Sequence, residues 1–211
     1  MTKPNRRVFL KLGAASGAAG LFLTPAQATT LTPSEEAGPF YPVVAQKDKD
    51  LDLTRVAGQQ GVAKGPVIII EGQVLDTDGQ PLENATIDLW QANAAGRYAH
   101  PHDTNPAPLD PNFQGWAILQ SNKQGKFRII TIYPGAYPAS ETWTRPPHIH
   151  FKVSRKEYIE LTTQMYFPDQ NLHEADHLLK RKSKEEAKLM TASKILVSPE
   201  TYTYTIVLQK A

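Results

Sequence analysis

The chain of 211 residues contains no cysteine. Disulfides, iron–sulfur clusters and thiolate metal sites are thereby excluded, so any metal must be held by nitrogen or oxygen donors. A run of apolar residues long enough to span a bilayer is also missing. The apolar segment Leu12 to Leu23 falls well short of the ~20 residues that cross a hydrocarbon core of ~30 Å. It lies between the paired arginines of Asn5-Arg6-Arg7-Val8-Phe9-Leu10-Lys11 and the small-x-small site Ala26-Gln27-Ala28. Residues 1–28 therefore read as a removable twin-arginine signal peptide, and the expected location is periplasmic or exported. A large charge of either sign is absent as well. Of the 23 lysines and arginines, Lys3, Arg6, Arg7 and Lys11 lie in the signal, leaving 19 against 21 acidic residues in the rest. Nothing in that balance suggests nucleic acid or an anionic membrane as a partner.

Beyond the signal, residues 29–65 form a polar, irregular arm containing Gly38-Pro39-Phe40-Tyr41-Pro42. From residue 66 to 211 the pattern turns β-rich, and one domain is expected. Alternating or β-branched stretches predict strands over 67–74, 85–91, 125–132, 148–154, 161–167 and 203–208. A helix is expected between about 173 and 192, where Ser183-Lys184-Glu185-Glu186 has the form of a capping box. Short strands, many Pro/Gly turns and one late helix indicate an all-β fold, an antiparallel or mixed β-sandwich. Two proline-stiffened loops, 92–116 and 133–147, interrupt it. Loops of that length in a compact domain are more often functional than incidental.

The most informative stretch is Arg145-Pro146-Pro147-His148-Ile149-His150-Phe151. Side chains alternate along a strand, so His148 and His150 share one face with Cα atoms roughly 6–7 Å apart. That suits two ligands of one metal, although a polar strand face bearing two histidines is the plainer reading. No acid stands beside the pair in the His-x-Asp/Glu pattern of an Fe(II) oxygenase. Zinc would call for a third histidine or a glutamate at helical spacing. His173 and His177 have that spacing but read as a solvated helix surface, and His100-Pro101-His102 as solvent or support. Tyrosine remains. Tyr98 and Tyr137 each lie on a long loop, and singly each reads as a packed aromatic. A trivalent cation would change the balance, because phenolate is a hard anionic donor.

Several segments together bring a family into view. They are Asp88-Leu89-Trp90-Gln91-Ala92-Asn93-Ala94-Ala95-Gly96-Arg97-Tyr98, Leu109-Asp110-Pro111-Asn112-Phe113, Pro134-Gly135-Ala136-Tyr137-Pro138, the histidine stretch above, and Thr163-Gln164-Met165-Tyr166-Phe167. Over roughly residues 35–210 the chain resembles the intradiol ring-cleavage dioxygenases, in particular the protocatechuate 3,4-dioxygenase β-subunit type. The resemblance implies a non-haem Fe(III) cofactor held by Tyr98, Tyr137, His148 and His150. It implies a catechol-type substrate cleaved with O2 to a cis,cis-muconate. Tyr137 would leave the iron to accept a proton, Arg145 would stabilise negative charge, and Gln164 would stand beside the intermediates. After Tyr137-Pro138 this chain has Ala139-Ser140, where the protocatechuate type places a bulky aromatic, so the resemblance does not set the substrate. It also implies an oligomer, either of this chain alone or with a homologous subunit. Two other classes fit parts of the sequence: a non-catalytic transthyretin-like sandwich module, and a zinc or Fe(II) enzyme built on the histidine pair.

Overall fold

The structure, a computed structural model, describes residues 29–44, 48 and 50–211. The twin-arginine segment lies outside the described residues. Among those described, no helix is long and apolar enough to cross a membrane.

The expected sandwich forms. One sheet runs in the order β4 (Lys126–Ile132), β1 (Val67–Asp76), β10 (Glu200–Leu208) and β9 (Ser193–Ile195). It is mixed, because β1 pairs parallel with β10 and antiparallel with β4. The second sheet is antiparallel, in the order β3 (Trp116–Gln120), β2 (Thr86–Trp90), β7 (His148–Ser154) and β8 (Leu161–Tyr166). β-branched and aromatic residues at every second position supply the inner faces. Ile68, Ile70 and Val74 of β1 meet Ile87 and Leu89 of β2 and Ile149, Phe151 and Val153 of β7 in one buried cluster. Gly72 makes room for the Phe127 ring, since a Cβ there would approach within 1.9 Å of it.

Besides the short β9, which was not expected, three parts of the chain depart from the expected elements. β3 occupies the end of the stretch read as the first long loop and extends beyond it. The second loop contains a hairpin, β5 (Tyr137–Ser140) with β6 (Trp143–Arg145), whose register pairs Tyr137 with Arg145. Pro138 and the polar residues around it hide the hairpin, because edge pairing needs few apolar side chains. The helix expected over 173–192 is mostly absent. Two 3₁₀ turns, Asn171–Ala175 and Leu179–Arg181, precede a single α-helix, α1 (Lys184–Leu189). Asp176 interrupts the run: its carboxylate takes the backbone N–H groups of Leu178 at 2.7 Å and Leu179 at 3.2 Å. Side-chain capture of backbone donors competes with helix. The capping box at Ser183 does form, with Glu186 N–H to Ser183 Oγ at 3.1 Å and Ser183 N–H to Glu186 Oε2 at 2.8 Å.

Candidate metal centre

The alternation of β7 sends Ile149 and Phe151 into the core and leaves His148 and His150 on the outer face of their sheet. Register then aligns a row across four strands: Trp116, Trp90, His150 and Gln164. His148 stands opposite Tyr166 one step along. An outer sheet face normally meets water, yet both histidines are only 2% exposed. Three segments roof them. The arm lays Gly38 close to His150 and stacks Phe40 at 4.9 Å from the Tyr98 ring. The first long loop brings Tyr98, and the β5–β6 hairpin brings Tyr137 and Arg145.

The loop holding Tyr98 is stapled by its own polar side chains. Asn93 Oδ1 accepts from Ala95 and Arg97, and Asp103 Oδ2 accepts from the Tyr98 N–H at 2.7 Å. This loop and the one before the hairpin then touch backbone to backbone at Gly96 and Gly135, and the Asn93 carbonyl accepts from both glycine N–H groups. The two phenols are thereby delivered to one compartment.

All four expected donors meet there. Ring centroids are 5.5 Å apart for Tyr98 and Tyr137, 5.6 Å for Tyr137 and His148, 4.8 Å for His148 and His150, and 6.2 Å for Tyr98 and His150. His148 Nδ1 lies 2.6 Å from the Pro146 carbonyl. A carbonyl only accepts, so Nδ1 is the protonated nitrogen and Nε2 offers its lone pair to the site. The two Nε2 atoms are 3.2 Å apart. That is the spacing of two ligands at metal–imidazole distances of about 2.1 Å, roughly at right angles. Trp90 lies flat against His150, at 4.8 Å and 4° between planes, and fixes its ring. The Tyr98 hydroxyl is buried with no hydrogen bond of good geometry, and the Tyr137 phenol is its polar neighbour.

The electrostatics suit a hard cation. Burial pushes the Tyr98 phenol well above its ordinary range and raises Tyr137, with Arg145 opposing both shifts. Burial, reinforced by Arg145, drives His148 well below the ordinary histidine range and His150 down to about 3. The imidazoles are therefore already neutral, in ligand form, whereas the phenols need a nearby positive charge to ionise. The donor set fits a ferric ion: two hard anionic oxygens balance most of its charge, and two neutral nitrogens complete the set. Among the described residues no group of three His, Cys, Asp or Glu side chains could hold a metal. The zinc or Fe(II) alternative thus has no usual ligand set.

The histidine shifts give a pH prediction for the chelator-treated protein. Both folded-state values lie below the ordinary 6.5, so their contribution is fully present above that pH and declines as pH falls. For His150, between pH 6.5 and about 3 the unfolded chain binds a proton that the folded chain refuses, at up to ~1.4 kcal/mol per pH unit, and His148 adds in the same direction. Urea midpoints should fall from pH 7.5 to pH 5. A flat profile would contradict the buried neutral pair.

Arg145 and Gln164 adjoin the donors in a buried network. Arg145 donates through Nε to Asp176 at 2.9 Å and through Nη2 to Gln164 Oε1 at 2.6 Å and the Tyr166 hydroxyl at 3.0 Å. Gln164 Nε2 donates to the Glu36 carbonyl at 2.8 Å. Tyr137, Arg145 and Gln164 line a cavity of about 400 Å³, shared with Phe40, Pro138, Ala139, Trp143 and Leu178. Tyr98 and the histidines stand behind it. Asp176 and Trp90 were not singled out from the sequence. Trp90 had a legible signal, its outward parity on β2; Asp176 had none, being an acid in an apparent helix. His100 and His102 pack on each other at 5.3 Å, and His100 also lies 5.8 Å from the Phe40 ring and shares a small pocket with Tyr98 and Trp90. His173 and His177 do not share a helix: His173 lies half-buried against Tyr166 and His177 stacks on Trp143.

Fold and site together define a β-sandwich protein with a roofed phenol–imidazole centre. The family model described as Dioxygenase matches residues 37–210. The chain belongs to that family, the intradiol dioxygenases. It is 44% identical over 136 residues to the protocatechuate 3,4-dioxygenase beta chain of Burkholderia cepacia, a match covering 61% of this chain and 57% of that one. It is 31% identical over 147 residues to a catechol 1,2-dioxygenase of Acinetobacter baylyi, covering 64% and 45% respectively. The chain thus spans about half the length of the curated relatives it matches. Among solved structures, 3-chlorocatechol 1,2-dioxygenase of Rhodococcus opacus superposes with a TM-score of 0.68 at 23% identity, covering 88% of this chain and 73% of that one. The dioxygenase domain of a carbohydrate-binding fusion from a Streptomyces species gives 0.66 at 24%, covering 86% and 100%. At those identities the likeness concerns the fold.

Proposed function

We propose that this chain is a non-haem Fe(III) intradiol dioxygenase. It opens a catechol between its two hydroxyl-bearing carbons, and both atoms of O2 enter the cis,cis-muconate product. The observation that supports this reading best is the meeting of two buried phenols and two buried neutral imidazoles at the back of one cavity. Tyr98, Tyr137, His148 and His150 would hold the iron. When bound, a ferric ion supplies Lewis acidity, stabilising phenolate and catecholate oxygens at neutral pH.

The residues divide the remaining work. Tyr137 is the one donor that lines the cavity, so its phenolate oxygen is in reach of an entering hydroxyl and can accept its proton. The guanidinium of Arg145 is held rigid at the cavity wall, where a fixed positive group stabilises charge developing on the substrate oxygens. Gln164 is tied at both ends of its amide, to Arg145 and to the arm, and keeps its plane against the substrate. Phe40, Pro138, Trp143 and Leu178 exclude water. The Arg6-Arg7 motif supports export of the folded chain by the twin-arginine route.

The cavity also favours one kind of catechol. Among the described residues Arg145 is the cation lining it, and it is paired with Asp176; Asp103 and Glu36, the latter paired with Arg181, also line the wall. Among the described lining residues a ring carboxylate finds no free counter-ion, and an unpaired charge in such a site is costly. Oxygen uptake by the iron-loaded protein should yield muconate absorbance from catechol and 4-methylcatechol. Protocatechuate should be poorer by at least ~10-fold in kcat/KM, equivalent to about 1.4 kcal/mol. If no member of that panel gives a muconate, the enzymatic reading is wrong.

A further inference from the structure

We propose that Asp176 is a positioning residue for ring cleavage, acting through Arg145; this rests on the dioxygenase reading above. Asp176 is fully buried. A buried carboxylate is tolerated only when its charge and lone pairs are matched. Here both oxygens are committed: Oδ2 accepts from Arg145 Nε at 2.9 Å, and Oδ1 accepts from the Leu178 and Leu179 N–H groups. The two backbone donors anchor the carboxylate to the break between the 3₁₀ turns. The side chain cannot turn without leaving them unpaired.

The way Asp176 grips Arg145 matters as much as its charge. It takes Nε rather than both terminal nitrogens, so the outer edge of the guanidinium remains turned to the cavity wall. Nη2 then reaches Gln164 and Tyr166, and the Tyr166 hydroxyl donates to the same Gln164 oxygen at 3.1 Å. Gln164 in turn holds the arm at Glu36. A continuous chain of bonds therefore runs from Asp176 to the arm that roofs the centre, and Arg145 is its joint. Asp176 touches no metal donor. Its removal should misplace the two cavity-lining polar groups while leaving the iron ligands as they are.

Asp176→Asn tests this in the iron-loaded protein. The amide can satisfy the backbone donors but lacks the second charged acceptor that Arg145 Nε needs. The expected result is a kcat per bound iron lower by on the order of 100-fold, as for a catalytic group displaced by about 1 Å. KM for catechol should stay within about threefold, with iron content and the phenolate-to-iron visible band unchanged. In an Arg145→Ala background the same substitution should have no further effect, because the two act as one unit. A kcat within threefold of wild type, or a full additional loss in that background, would overturn the proposal. Loss of iron or of the visible band would overturn it too, placing the role at the metal instead. Should the asparagine variant not fold, Asp176→Glu carries the test: it keeps the charge, displaces the guanidinium, and should still lose kcat at wild-type iron content, whereas unchanged kcat would refute the idea. Wild-type protein that makes no muconate would fail the dioxygenase reading itself, an outcome separable from product formation that is unaffected by the variants.

Discussion

Replacing His150 with alanine is expected to abolish ferric binding and to lower catechol-dependent oxygen uptake by roughly a thousandfold, ~4 kcal/mol of transition-state stabilisation. The reason lies in how little else could take its place. His150 is fixed between Trp90 on one side and His148 on the other, and among the described residues no aspartate, glutamate or third histidine joins the pair as a metal-holding group. The arm lies over the ring at Gly38, where a Cβ would stand 3.5 Å from it. The sandwich core does not depend on this residue, since Ile149 and Phe151 pack on the opposite face. Iron content, the visible spectrum and far-UV circular dichroism separate the two effects. A His150→Ala protein that keeps stoichiometric iron and its colour would show that the centre has been assigned to the wrong donors.

A second large effect is expected from Gly135→Val, which alters no donor at all. A Cβ at position 135 would lie 2.4 Å from the Gly96 nitrogen and 2.5 Å from the Ala94 oxygen, both backbone atoms that cannot swing aside. Gly96 is equally constrained, with φ of +78° and only 2.2 Å to the Ala136 oxygen. The loop bearing Tyr98 and the loop bearing Tyr137 meet at this point. Forcing them apart by about 1 Å should separate the phenols and weaken iron binding on the order of 100-fold, comparable to losing the support of a metal ligand. Gly58→Ala is the control. Its φ of +84° makes the substitution strained, but nothing lies within 4 Å, so a cost of about 1 kcal/mol in stability is expected with iron affinity unchanged. Wild-type affinity in Gly135→Val would disprove the coupling between loop contact and phenol placement.

Different residues were legible in the sequence to different degrees, for physical reasons. The face shared by His148 and His150 follows from the two-residue period of a strand, a property of the backbone alone. The Ser183 capping box is equally local, and it forms. Tyr98 and Tyr137 lie in irregular loops where no period operates, so only the family motif marked them. The helix expected over 173–192 failed because its apparent continuity ignored Asp176, whose side chain found a partner 31 positions away in Arg145. That ion pair, and the backbone capture that goes with it, has no local signature. The β5–β6 hairpin was hidden in the same way, its two short strands being stabilised by what they roof.

The amino-acid order alone determined that no thiolate could serve as a ligand, that inner and outer faces alternate along β7, and that the chain folds as a sandwich. These depend on composition and on near-neighbour periodicity. Only the tertiary structure decided that an outer sheet face would be sealed from water, that two loops would touch at Gly96 and Gly135, and that Arg145 would be gripped by Asp176. Each of these contacts exists because distant segments close on one another, and the free energy of that closure resides in no single stretch of sequence.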